Sequence, residues 1–174
     1  GFGHVWINQG VGDVDSFMTL FKQRMKDVYY QNWRSNLRGS GKSITYRLIA
    51  NNLKPQFYLT NINNTKHRHA MIKLRLRNNY LRVETGSWNG AIPYHERYCQ
   101  LCNCNRLEDE YHFVLICEYL TELRIQYIPR YYRNRPNMYK FVELMSTENV
   151  KLVNKLSMYI FKAFEKRAQT NVLL

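Results

Sequence analysis

The run Cys99-Gln100-Leu101-Cys102-Asn103-Cys104, followed by Glu108-Asp109-Glu110-Tyr111-His112-Phe113-Val114-Leu115-Ile116-Cys117, decides how the chain is read. It holds all four cysteines of the 174-residue sequence and one of its five histidines. A disulfide framework spreads its cysteines to staple distant segments, whereas clustered thiols beside an imidazole read as metal ligation in a reducing compartment. Two Cys separated by two residues make a tight knuckle whose sulfurs converge, and a His and a Cys from a following turn close a tetrahedron. The spacing predicts a Zn2+ site made by Cys99, Cys102, His112 and Cys117. His112 and Cys117 are five positions apart, more than one helical turn, so Cys117 must stand where that helix ends or unwinds. Glu108-Asp109-Glu110 suit a first helical turn, with Asp109 as a cap that also fixes the His112 ring direction. Four protein ligands leave no open coordination position, so the metal reads as structural and not catalytic. Cys104 crowds Cys102 too closely for an easy chelate and reads as a loop thiol, as His95 reads as a loop histidine.

Outward from the cluster the patterns are helical. The expected fold class is mostly α: one helical domain with a short Cys-Cys-His-Cys knuckle. Within 1–174 the organisation is a helical basic segment at 13–90, a zinc-binding segment at 91–127 and C-terminal helices at 128–174. Residues 1–12 read as irregular. Val14, Phe17, Phe21, Met25 and Val28 fall at three- and four-residue steps behind Asp13 as N-cap, and the helix is expected to stop before Gly39-Ser40-Gly41. Ile44 to Ala50 reads as helix or extended. Ile72, Leu74 and Leu76 alternate with basic residues as in a strand, but Leu and Arg favour helix, which is the reading taken for Thr65 to Leu81. Short helices are expected over 119–127 and 137–145, and a last one capped by Thr147 along Val153, Leu156, Ile160 and Ala163.

The formal charge is +13, a field that favours phosphate-rich partners. No apolar stretch is long enough for a membrane helix and no lipidation motif is visible, so no membrane partner is expected. The start, Gly1-Phe2-Gly3-His4, has neither a charged n-region nor an apolar h-region, and without an initiator Met the chain reads as a fragment or tail of a longer polypeptide. An intracellular, reducing setting, nuclear or cytoplasmic, follows from the thiols. Lys66, Lys73, Arg75 and Arg77 lie in the densest basic run, and on a helix Lys66, Lys73 and Arg77 share a face able to follow a phosphate backbone. Tyr131 and Tyr132 interleave with Arg130, Arg133 and Arg135, the composition of a platform for unpaired bases, although such tyrosines serve equally as core. RNA or single-stranded DNA is the expected partner, and no small-molecule substrate is. The first rival reading is a zinc-stabilised protein–protein interaction module, and the second is a zinc or thiol enzyme.

The runs Arg97-Tyr98-Cys99-Gln100-Leu101-Cys102 and Glu108 to Cys117, then Arg124, with Lys73-Leu74-Arg75-Leu76 and Leu81-Arg82-Val83-Glu84-Thr85-Gly86 upstream, resemble a known pattern. It is the zinc-binding region at the C-terminal end of reverse transcriptases from non-long-terminal-repeat retrotransposons. The resemblance covers about residues 66–124. It implies the same four ligands, a module that helps a polymerase hold nucleic acid, and an upstream polymerase domain of the same polypeptide as a partner. It does not imply polymerisation by this chain, whose Asp residues stand only at 13, 15, 27 and 109, with no adjacent pair to hold two metal ions.

Overall fold

The structure, a computed structural model, describes residues 2–50, 53–88 and 90–171. It is mostly helical, and among the described residues there is no strand, only an isolated antiparallel bridge between Tyr98 and Leu107. The chain divides at Ser40/Gly41 into two compact units, Gly1–Ser40 and Gly41–Leu174, where the sequence reading draws no boundary.

In the first unit, Gly3–Asn8 forms α1 and Val14–Gly39 forms the 26-residue α2. The opening segment is therefore helical rather than irregular. Its short, Gly-containing sequence has little helix propensity of its own; the anchor is Phe2, whose ring meets Phe17 at 5.4 Å and Phe21 at 5.7 Å. Asp13 caps α2 as its position predicts, accepting from the Ser16 N–H at 2.8 Å.

The second unit contains α3 (Ile44–Ile49), α4 (Phe57–Asn61), α5 (Thr65–Arg75), α6 (Arg82–Thr85), α7 (Thr121–Tyr127), α8 (Arg130–Arg133), α9 (Met138–Met145) and α10 (Val150–Asn171). The ambiguous Ile44–Ala50 stretch is thus helical, and so is the basic stretch up to Arg75. Asn64 caps α5 by accepting from the Lys66 and His67 N–H groups. The helix stops short of Leu81 because Arg77 takes a left-handed backbone, φ 51°. Asn149, not Thr147, caps α10, accepting from the Leu152 N–H at 3.0 Å, while the Thr147 hydroxyl accepts from Asn149.

One core serves the whole unit. Met71 and Leu74 of α5 and Leu156, Tyr159, Ile160 and Ala163 of α10 are fully buried, together with Phe113, Val114 and Leu120 from the cysteine-rich segment. That segment is consequently docked on α10, and not suspended beside it.

Candidate metal centre

The first two thiols lie in a narrow turn. Around the Tyr98–Leu107 bridge the Cys99 N–H donates to the Arg106 carbonyl at 2.8 Å and the Glu108 N–H to the Arg97 carbonyl at 2.9 Å. Arg97 fastens this turn to the preceding loop, donating from Nη1 to the Val83 carbonyl and from Nε to the Ile92 carbonyl. Its stem lies so close to Gly86 that a Cβ there would stand 2.8 Å from it. The Arg82 carbonyl would stand closer still, at 2.7 Å, and as backbone it cannot move aside, so a side chain at this position would force a shift.

The other two ligands bracket a π-helix, His112–Ile116: His112 is its first residue and Cys117 its C-cap. The Cys117 N–H donates to the His112 carbonyl at 2.8 Å, an i to i+5 bond. Widening the turn in this way puts residues five apart on one side, which an α-helical turn does not. The spacing that demanded an unwound helix end is met by this bulge. A π-turn leaves carbonyls without ordinary helical partners, and buried donors meet them here. Arg124 donates to the carbonyls of Val114 at 2.9 Å and Cys117 at 2.7 Å, and the Tyr159 hydroxyl reaches those of Phe113 and Val114. Burial pushes the Tyr159 phenol up to about 12, so it stays a donor.

Cys99, Cys102, His112 and Cys117 converge, with one ligand atom from each within 4.8 Å of all the others. The Cys99 and Cys117 sulfurs are 3.9 Å apart, and Cys102 Sγ is 3.4 Å from His112 Nε2. A tetrahedral ion with metal–sulfur bonds near 2.3 Å requires sulfur–sulfur edges of about 3.8 Å. All four residues are buried except Cys102, which is half-buried. Without a cation these thiols cannot all ionise: the hydrogen bond from Cys117 pulls Cys99 far below the ordinary thiol range, while Cys117, facing Cys99, is pushed far above it. A divalent ion removes that conflict by accepting three thiolates at once. The four residues therefore form a site able to hold a metal ion.

Cys104 is not among the converging ligands. Its thiol is pushed up to about 11, first by the neighbouring Cys102 thiol, then by loss of solvent and by Glu118. Asp109 does cap the segment, but it accepts from the backbone N–H of His112 at 2.7 Å and does not orient the ring, whose buried Nδ1 has no partner.

The acidic run around Asp109 serves a purpose that sequence reading missed. Glu108 is 1% exposed and takes both arms of Arg167 of α10, at 2.8 and 2.9 Å, while accepting from the Arg82 N–H. Glu110 pairs with Arg77 at 3.1 Å and accepts from the Thr45 hydroxyl. These are anchors of the metal-binding turn, not dipole partners of a helix. The sequence carries a faint signal for them: three consecutive acids in a basic chain have ample cations to meet.

Three of the residues expected to contact nucleic acid are buried by the same geometry. Arg77 is buried in its pair with Glu110 and lies beyond the end of α5, so it does not share a face with Lys66 and Lys73. Arg75 is buried over the Tyr58 ring. Tyr132 is buried core, with its ring edge-to-face on Tyr131. Lys66, Lys73, Arg130, Arg135 and Tyr131 are exposed, and Arg133 is half-buried with its Nε donating to the Ile128 carbonyl. Lys66 and Lys73 stand on the wall of an apolar-floored groove of 540 Å3 between α5 and α10, with Phe161, Phe164 and Tyr80. Past the Gly39-Ser40-Gly41 turn, Lys42 pairs with Glu84, and the Gly41 carbonyl takes a bond from Arg77.

Set against models of known families, curated proteins and solved structures, the chain matches none of them.

Proposed function

We propose that the chain is a zinc-stabilised nucleic-acid-binding module, akin to the C-terminal tail of a non-long-terminal-repeat retrotransposon reverse transcriptase. The observation that carries the metal half is the convergence of three sulfurs and one imidazole nitrogen. Sulfur-rich tetrahedral sets select zinc or iron–sulfur centres, and a single Cys3His site suits one Zn2+. All four positions are filled by the chain, so the ion shapes the turn and does not activate water.

The nucleic-acid half rests on charge and exposure. The excess of +13 is presented in part by Lys66 and Lys73 beside an aromatic-walled groove, and by Arg130 and Arg135 near the exposed Tyr131. Ammonium and guanidinium groups bind backbone phosphate while ring faces take unpaired bases. A titration of single-stranded RNA at rising salt tests this. Affinity falls steeply with salt, and the Lys66→Gln/Lys73→Gln double variant lowers the log–log slope by about 1.4, about 0.7 for each lost phosphate contact. Affinity that is absent at low salt, or indifferent to salt, removes this half and favours the protein-interaction module.

A further inference from the structure

Four arginines of the second unit are buried: Arg75, Arg77, Arg124 and Arg167. A charge taken out of water is costly unless it is paired and fully hydrogen-bonded. Arg77 and Arg167 each meet a carboxylate, and Arg124 meets two backbone carbonyls. Arg75 meets neither, although only 3% of it is exposed. Among the described residues its side chain makes one hydrogen bond, a long one, from Nη2 to the neutral amide oxygen of Gln56 at 3.3 Å. Its guanidinium carbon lies 4.3 Å from the Tyr58 ring centroid, and its Nε has no partner among the described residues.

Arg75 is also among the residues that line a polar pocket of 480 Å3, with Pro55 and Tyr58, and with Met145 and Ser146 at the end of α9. Lys54, Gln56 and Thr147 also line it, with Glu148 as its one acid among the lining residues. The Thr147 hydroxyl accepts from the Asn149 N–H and keeps its own proton to donate. Arginine presents a planar fork of N–H donors that matches tetrahedral oxyanions. We propose that this pocket binds a phosphate group, with Arg75 as its principal ligand and the Thr147 hydroxyl as a second donor. The site goes beyond the nucleic-acid reading and does not depend on it. A strand crossing the surface through its internal phosphodiesters leaves so buried an arginine untouched. A small phosphate, or the terminal phosphate of a strand, enters.

Inorganic phosphate is the probe, titrated against the full chain at constant ionic strength, with binding followed by NMR shifts of the Arg75 Nε–H and by thermal shift. Phosphate binds and raises the melting temperature above matched chloride. Arg75→Met and Thr147→Val weaken it, the former by about tenfold or more, as expected for a lost charge-assisted bond. Thr147→Val keeps the test decisive if Arg75→Met does not fold. Preference for a 5′-phosphorylated over a 5′-hydroxyl oligonucleotide assigns the group to a strand end; equal affinity for the two, with inorganic phosphate still bound, assigns it to a free phosphate compound. No phosphate binding by the parent chain overturns the site even if RNA binds elsewhere. So does acetate binding as well as phosphate, or full phosphate affinity in both variants.

Discussion

Cys102→Ser, or zinc removal by a chelator, is expected to abolish hydrogen-exchange protection across 95–125 while the α5–α10 contact keeps most of its own. Structural zinc in small finger peptides contributes on the order of 10–16 kcal/mol at neutral pH, as much as the whole stability of an ordinary domain. The turn that carries Cys99 and Cys102 has little else, a single bridge and a few loop hydrogen bonds. The helices have Met71, Leu74, Leu156 and Ile160, none of which belongs to the converging ligand set. Phe113 and Val114 belong to that same core, so its edge loosens as well. Cys104→Ser, outside the ligand set, leaves protection and metal content as they were. Equal protection in Cys102→Ser and parent, or a worse outcome for Cys104→Ser, contradicts the assignment.

The second large effect is at the pair between Glu108 and Arg167. Arg167→Ala leaves a carboxylate that is 1% exposed with only the Arg82 N–H for company. Removing one partner of a buried pair costs about 3–5 kcal/mol, because the survivor stays desolvated. Urea unfolding followed by circular dichroism should show that loss. Arg167→Lys recovers part of it, keeping the charge but not the two-armed contact. Glu108→Gln with Arg167→Met lies nearer the parent than Arg167→Ala does. A loss under about 1 kcal/mol for Arg167→Ala would place the pair among ordinary surface contacts.

What the sequence discloses is what short range decides. Cys99 and Cys102 share a turn, and the five-residue step from His112 to Cys117 already required a break from α-helical geometry. That the break is a π-turn depended on Arg124 and Tyr159, whose donors reach its carbonyls from up to 46 residues away. A lone tyrosine on the apolar face of α10 was the available hint, since a buried phenol finds an acceptor. The basic run hides its differences for the same reason. Arg77 and Arg75 read like Lys66 and Lys73 in composition, and only the fold brings Glu110, 33 positions on, against one and Tyr58 against the other. Tyr131 and Tyr132 likewise differ in burial although they are neighbours.

The most direct measurement on the metal centre is elemental analysis of the purified chain combined with X-ray absorption at the zinc edge. One zinc per chain is expected, with three sulfur neighbours near 2.3 Å and one nitrogen near 2.0 Å, all at full occupancy. Chain that holds no zinc after preparation without chelator, or zinc whose neighbours are mainly oxygen, would contradict the site.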